Sequence, residues 1–397
     1  MRPTASAAPP ATSPASTIAE DRPRRHAPTG VTADDRPGRA VMPDHGRSDP
    51  FAPVAAPVGK LLTDFLDEQV AALARLDPAL ERVGRELAGL VGAGGKRLRP
   101  AFVYWGYRAS GAAHEPEVLR AAGAVELLHT FALVHDDVMD RSPERRGRPA
   151  LHEALAALHR EEGLAGDDRW FGIGGAILGG DLVFVWADRL FDATDLPAEA
   201  VDGARRVFSQ LRVEVMAGQY LDLRLAGDRT AGEEQARRVA LLKSGRYTVT
   251  RPLQLGAALA GGGAELGEAL ASYGDAVGVA FQLRDDVLGL FGDPVATGKG
   301  AIEDLREGKR TVLMVRALAR AGAAERVELE AHLGDPDLDE AGAARVREIV
   351  ADTGALSSVE ELLAEHRVTA LRALEGFPEP ARSALAELAH RAVTRDG

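Results

Sequence analysis

His135-Asp136-Asp137-Val138-Met139-Asp140 closes a run in which Val118, Ala121, Ala122, Val125, Leu128, His129 and Ala132 recur at three- and four-residue spacing. That period is the mark of a helix with one apolar stripe. Positions i and i+4 share a face, so Asp136 and Asp140 point the same way while Asp137 is turned by roughly 100°. About 150 residues later a second cluster follows, Phe281-Gln282-Leu283-Arg284-Asp285-Asp286-Val287-Leu288-Gly289, whose i+4 position is glycine and so carries fewer ligands. A single acidic cluster on a helix is ordinarily a solvated face. Here negative charge near a helix C-terminus opposes the helix dipole. Carboxylates led in by Val, Leu, Met and Phe also need a strong partner to offset their desolvation. Oxygen-only ligands of this kind suit Mg²⁺ bound together with a phosphate-bearing substrate.

Outward from the clusters the chain keeps one character. Leu61, Leu62, Phe65, Val70 and Leu73 form another helical stripe, period-two alternation is scarce, and no repeat of fixed length is present. The expected architecture is all-α, roughly a dozen helices in one domain over 55–397. Breaks are expected at Gly92–Gly95, Arg141–Pro149, Gly163–Gly180, Gly261–Gly263, Gly292–Gly300 and Gly334–Asp337. Residues 1–54 differ. The first 50 hold nine of the 22 prolines and no aromatic residue. Such a segment buries too little to offset its ordering entropy and is expected to be a disordered tail. It has no apolar core of the kind a secretory signal needs, and Met42 is an alternative start.

Composition narrows the function. The 397 residues contain no cysteine, which excludes disulfides, thiolate zinc sites and a cysteine nucleophile. A formal net charge of −12 argues against nucleic acid as the partner. No uninterrupted apolar run reaches the length of a membrane span; the longest, Ile173 to Phe191, is broken by Asp181 and Asp188. A soluble, cytoplasmic protein is expected.

Basic groups accompany the acids. Gly94-Gly95-Lys96-Arg97-Leu98-Arg99-Pro100 combines close backbone approach with a point charge and a planar fork, either a phosphate cradle or a basic surface loop. Arg145 and Arg146 follow the first cluster at once; they suit salt bridges to it or two different phosphate groups. Lys243-Ser244, Lys299 and Lys309 are each weak signals alone, as are Gln219 and Asp222 at i and i+3. Gly172–Gly180 follows no strand, His152-Glu153 lacks a second His, and no nucleophile elbow or Walker loop occurs. His135, Trp105, Trp170 and Trp186 read as packing residues.

Taken in order, these motifs resemble the trans-isoprenyl diphosphate synthases (polyprenyl synthetases), and the geranylgeranyl diphosphate synthases among them, from about residue 57 to the C-terminus. The resemblance implies an all-α bundle around a deep central cavity, the isoprenoid synthase type I fold, usually as a homodimer. It implies head-to-tail condensation of isopentenyl diphosphate with an allylic diphosphate, with two or three Mg²⁺ ions per active site. By the same resemblance Asp136, Asp140 and Asp285 hold metal, Asp137 and Asp286 being the adjacent members and Asp304 a contributor behind them. Arg145, Lys243, Lys299 and Lys309 correspond to allylic diphosphate ligands, and Lys96, Arg99, His129 and Arg146 to isopentenyl diphosphate ligands. Ser244 and Gln282 match positions beside the reacting carbons, which with Lys243 makes the catalytic set. Two residues depart from many relatives: Gly289 for Asp, and Ser244 for Thr.

In this family the residues four and five before the first Asp line the cavity floor; here they are Ala132 and Phe131. One large ring beside a small residue resembles the short-chain, geranylgeranyl (C20) pattern. Farnesyl or longer products remain alternatives. A class I terpene cyclase would not need the Gly-Gly-Lys-Arg-Leu-Arg-Pro loop, and a non-catalytic subunit should have lost part of the charged set.

Overall fold

The computed structural model describes residues 49–93, 95–292 and 302–394. Met42, Gly298 and Lys299 lie outside the described residues. The N-terminal helices are α1 (Ala55–Leu76), α2 (Leu80–Gly92), α3 (Leu98–Ala109) and α4 (Val118–Met139). A short hairpin, β1 (Glu144–Arg145) and β2 (Arg148–Pro149), leads to α5 (Leu151–Glu161), α6 (Asp168–Asp192), α7 (Ala198–Gly227) and α8 (Glu233–Val239). The π-helix Ala240–Thr250 follows, then α9 (Arg251–Leu259) and α10 (Ala264–Phe291). The C-terminal part holds α11 (Glu303–Arg306), α12 (Val312–Arg320), α13 (Ala323–His332), α14 (Glu340–Asp352), α15 (Ala355–Ala373) and α16 (Ala381–Val393). The all-α expectation holds.

Helix α4 runs through the middle of the bundle, buried on almost every side, because its residues 118–134 are nearly all apolar or small. It packs on α6 and α3, while α7 and α10 both lie along the π-helix. Helix α10 bridges two apolar cores. Its first half, with Leu270, Tyr273 and Val277, belongs to the larger core under α3 and α4. Its second half, with Ala280, Leu283, Val287 and Leu290, joins the C-terminal helices. Asp285 and Asp286 are therefore presented from a helix anchored at both ends.

Four differences from expectation have physical causes. The break expected at Gly163–Gly180 is confined to its start, between α5 and Asp168, where Gly163 and Gly166 have positive φ; α6 runs through Gly172, Gly175 and Gly180. A Cβ at 172 would lie 2.1 Å from the His152 carbonyl, and one at 180 would lie 2.3 Å from the His135 ring. Close packing on α5 and α4, not turn chemistry, selects those glycines. The folded part also starts earlier than 55, since Phe51 and Val54 are core residues and Trp105 Nε1 donates to the Pro50 carbonyl at 2.8 Å. Trp170 is 70% exposed instead of packed. Finally, α4 and α6 are each long and apolar enough to cross a membrane by length and composition, because a helix accommodates the charges that interrupt the run. In α4 72% of that window is buried inside the molecule, against 39% in α6.

The π-helix widens where α7 passes beneath it. A Cβ on Gly218 of α7 would lie 2.3 Å from the Lys243 backbone nitrogen, so only glycine fits this crossing. Gly218→Ala is expected to cost roughly 1–3 kcal/mol through overpacking. A lower urea midpoint with an unchanged slope would register it.

Candidate active site

The helices enclose a cavity of about 860 Å³. From α4 its wall takes Glu126, His129, Ala132, Leu133 and Asp136, a stripe at three- and four-residue spacing, as the helical period requires. From α7 come Val215, Gln219 and Asp222, and from the π-helix Lys243, Ser244, Tyr247 and Thr248. Helix α10 adds Val277, Phe281, Gln282, Asp285, Asp286 and Gly289, and Asp304 and Lys309 arrive from α11 and just beyond it. Lys96, Arg99, Arg145 and Arg146 complete the rim. The two acidic clusters thus share one cavity.

Their carboxylates are held by ammonium groups. Lys243 Nζ lies 2.6 Å from Asp222 Oδ2 and 3.2 Å from Asp136 Oδ1, and Gln219 donates to Asp136 at 2.8 Å. Lys309 Nζ sits 3.3 Å from both Asp140 and Asp304 and also pairs with Glu307. Burial works to raise the Asp136 pKa, but Lys243, Lys309 and Arg145 outweigh it and hold the carboxyl below its ordinary range. Among the described residues Asp286 has no such cation. Burial pushes it up to about 8 despite a 2.7 Å hydrogen bond from Gln282, and the carboxylates of Asp304, Asp285 and Asp222 add to the shift. Asp137 leaves the cavity side, as its rotation on the helix requires, and takes the Arg145 guanidinium.

These donors fit Mg²⁺. Among the described residues no three carboxylates or imidazoles already converge on one metal position. Mg²⁺ ordinarily takes one or two carboxylates and completes its octahedron with water and phosphate oxygens. Buried Asp286 and the carboxylates of Asp285 and Asp304 that repel it have the chemistry such an ion would neutralise. Gly289 matters here. A Cβ at 289 would lie 2.5 Å from Asp304 Oδ2, so the place next to the missing third aspartate of α10 is filled by a carboxylate from α11.

A basic collar stands opposite. Arg145 and Arg146 sit on the hairpin, whose central residues Arg146 and Gly147 have φ of 55° and 71°. Positive φ at both places is the type I′ geometry that lets two residues reverse a hairpin. Arg99 stacks its guanidinium 4.5 Å over the Tyr247 ring and donates to Thr248 at 2.9 Å, and its buried Nε has no partner among the described residues. A buried unpaired donor on a cavity wall suits an anion. His129 shares a 2.7 Å hydrogen bond with the Tyr247 hydroxyl. Burial, then Arg99, Arg146 and Arg145, lower the His129 pKa well below its usual range.

Most residues singled out from sequence therefore come together, Lys299 lying outside the described residues. Phe131 does not line the cavity. It lies on the neighbouring stripe of α4, with its ring 4.7 Å from His135 and 5.0 Å from Phe184 of α6, whereas Ala132 is on the wall. Gln219 and Asp222, which from sequence were indistinguishable from an ordinary polar face, bind Asp136 and Lys243. Tyr247 was missed; its only signal is its position three to four residues after Lys243 and Ser244.

Gly289→Ala should force Asp304 aside. Half-saturating Mg²⁺ is expected to rise on the order of tenfold, read by titrating Mg²⁺ against turnover and by calorimetry with the metal and pyrophosphate.

The matches to known proteins agree with this geometry. Residues 81–352 match the family model for polyprenyl synthetase. The chain is 34% identical over 275 residues to a geranylfarnesyl diphosphate synthase of Aeropyrum pernix, covering 68% of this chain and 80% of that one. It is 31% identical to a geranylgeranyl pyrophosphate synthase of Geoglobus acetivorans, with coverage of 77% and 88%. The crystal structure of a geranylgeranyl pyrophosphate synthase from Corynebacterium glutamicum, complexed with isoprenyl diphosphate and magnesium, superposes with a TM-score of 0.82 at 38% identity, covering 85% of this chain and 97% of that one. This chain belongs to the polyprenyl synthetase family and is a short-chain isoprenyl diphosphate synthase, a prenyltransferase.

Proposed function

We propose that the enzyme extends an allylic diphosphate with isopentenyl diphosphate to geranylgeranyl diphosphate (C20). The observation that carries this reading is the layering of one cavity: carboxylates and ammonium groups at the level of Asp136 and Asp285, a basic collar at the rim, and an apolar wall below. Bound Mg²⁺, two or three ions in this reading, would neutralise the allylic diphosphate as it departs. Lys243, Lys309 and Arg145 add fixed positive charge at the same place, and Lys299 is assigned with them from sequence. Lys96, Arg99, Arg146 and His129 hold the isopentenyl diphosphate. The Asp136, Asp140 and Asp285 carboxylates serve the metal. Asp286, hydrogen-bonded by Gln282, supports Asp285; Asp137 positions Arg145.

The reaction then needs few groups. The allylic C–O bond breaks and pyrophosphate leaves with the electron pair. The double bond of isopentenyl diphosphate supplies the pair for the new C–C bond, and a neighbouring carbon gives up a proton to the departed pyrophosphate. Ser244 lies beside this point. Gln282 commits its amide nitrogen to Asp286, which leaves the amide oxygen for the developing cation. The apolar wall keeps water away from that cation.

Support for C20 lies below Asp136. Ala132, one turn or about 6 Å deeper, leaves the path open at that level. Val215, Val277 and Phe281 narrow it from α7 and α10. Phe131 with Phe184 closes the adjacent α4–α6 seam.

A homodimer is part of the same proposal. Leu178 and Val185 of α6 are 70% and 59% exposed, and Val213, Met216, Tyr220 and Leu223 form an exposed stripe on α7. So continuous an apolar face suits a second copy. With α4 buried, a soluble cytoplasmic dimer is the state these features support.

Purified protein with labelled isopentenyl diphosphate, each allylic primer and Mg²⁺ should yield a C20 product, lost with EDTA. Absence of elongation with every primer would overturn the reading. Ala132→Phe should shorten the product to C15. Phe131→Ala should lengthen it if the α4–α6 seam bounds the chain, and leave it unchanged if α7 and α10 alone form the floor. Leu178→Glu should halve the mass seen by light scattering.

A further inference from the structure

Arg97 and Glu126 are buried charges that the proposed chemistry does not use. Arg97 is 8% exposed and Glu126 4%, on the wall of a cavity otherwise given to ligands. Arg97 Nη1 lies 2.7 Å from Glu126 Oε1, and Nη2 donates to the Val91 carbonyl at 3.0 Å. One guanidinium therefore ties the last turn of α2 and the middle of α4 to the residue that starts α3. That residue has left-handed backbone, φ 55° and ψ 45°. An L side chain seldom adopts this conformation, so something outside the backbone must hold it there.

The consequences fall on the neighbours. Lys96 precedes the left-handed residue, and Arg99 lies two residues after it in the first turn of α3. Changing the backbone of Arg97 would swing both. Glu126 stands three residues before His129 on the same face of α4. It also opposes the positive charge of the collar, acting on Arg146 against the repulsion of Arg99, Arg145 and Arg97.

We infer that Arg97 and Glu126 are positioning residues for the acceptor diphosphate: their buried pair holds the left-handed turn that aims Lys96 and Arg99 at the ligand His129 faces. The inference rests on the reading that this collar binds isopentenyl diphosphate. It goes beyond that reading by assigning the acceptor's binding geometry to two groups that do not touch it. The allylic diphosphate, held by Lys243, Lys309 and Arg145, does not depend on the pair.

The test is steady-state kinetics with each substrate varied in turn, with unfolding midpoints and calorimetric binding of isopentenyl diphosphate without metal. Glu126→Gln and Arg97→Lys should raise the KM and Kd for isopentenyl diphosphate on the order of tenfold, with the allylic KM within about twofold of the parent. The double variant Arg97→Met with Glu126→Leu removes both charges, so no buried charge is left unpaired and the fold should survive. Recovery of its unfolding midpoint without recovery of acceptor affinity supports positioning. Recovery of both, or an equal change in the two KM values, makes the pair merely structural and overturns the proposal. Lys96→Ala separates the two levels. If it weakens the acceptor while Glu126→Gln does not, the pair proposal alone fails. If Lys96→Ala leaves acceptor affinity unchanged, the assignment of the collar fails and the proposal falls with it.

Discussion

Negative charge crowded into one partly buried cavity is the constraint around which this molecule is arranged. Asp136, Asp222, Asp285, Asp286 and Asp304 line one cavity, Asp140 joins them through Lys309, and like charges so close need something to oppose them. Lys243 and Lys309 do so for four of them, each ammonium bridging carboxylates from two different elements. Asp286, without a cation among the described residues, is the one pushed up to about 8, and burial is the larger cause. The lysines that balance the acids are also the groups proposed for the allylic diphosphate. Ligand and counter-charge therefore share one set of residues.

Holding that arrangement requires helices closer than ordinary side chains permit. Gly218 lets α7 pass under the backbone of Lys243, and Gly289 gives up a side chain so that Asp304 can approach α10. Gly180 does the same for the His135 ring, drawing α6 against α4. The glycines weaken each helix in isolation. Packing restores the loss, because each lies where two elements meet and the apolar residues around it are buried.

The π-helix serves the same end. Its wider turn places Lys243, Ser244 and Tyr247 along one wall, two of them on polar chemistry and the third supporting His129 and Arg99. The cavity below is bounded by Ala132, Val215, Val277 and Phe281, one or two from each of three helices. No single helix bounds it.

Much of this was legible in the chain. A 3.6-residue period with little alternation set the all-α class, and Asp136 with Asp140 on one face followed from helical geometry alone, as did the turning away of Asp137. The loop around Lys96 and the pair Arg145-Arg146 were visible as charge beside glycine. What the order of residues could not carry was distance between elements. Gln219 and Asp222 read as a polar face until α7 was laid against α4. Glycines 172–180 read as a break until α5 and α4 filled the space a Cβ would need. Phe131 and Ala132, adjacent in sequence, part company because consecutive helical positions are about 100° apart and only the neighbours of α4 decide which stripe meets the cavity. Local period and charge pattern are properties of the sequence by itself. Which carboxylate meets which ammonium group, and what closes the cavity, depends on contacts between residues up to 169 positions apart, as for Asp140 and Lys309, and only the tertiary structure decides them.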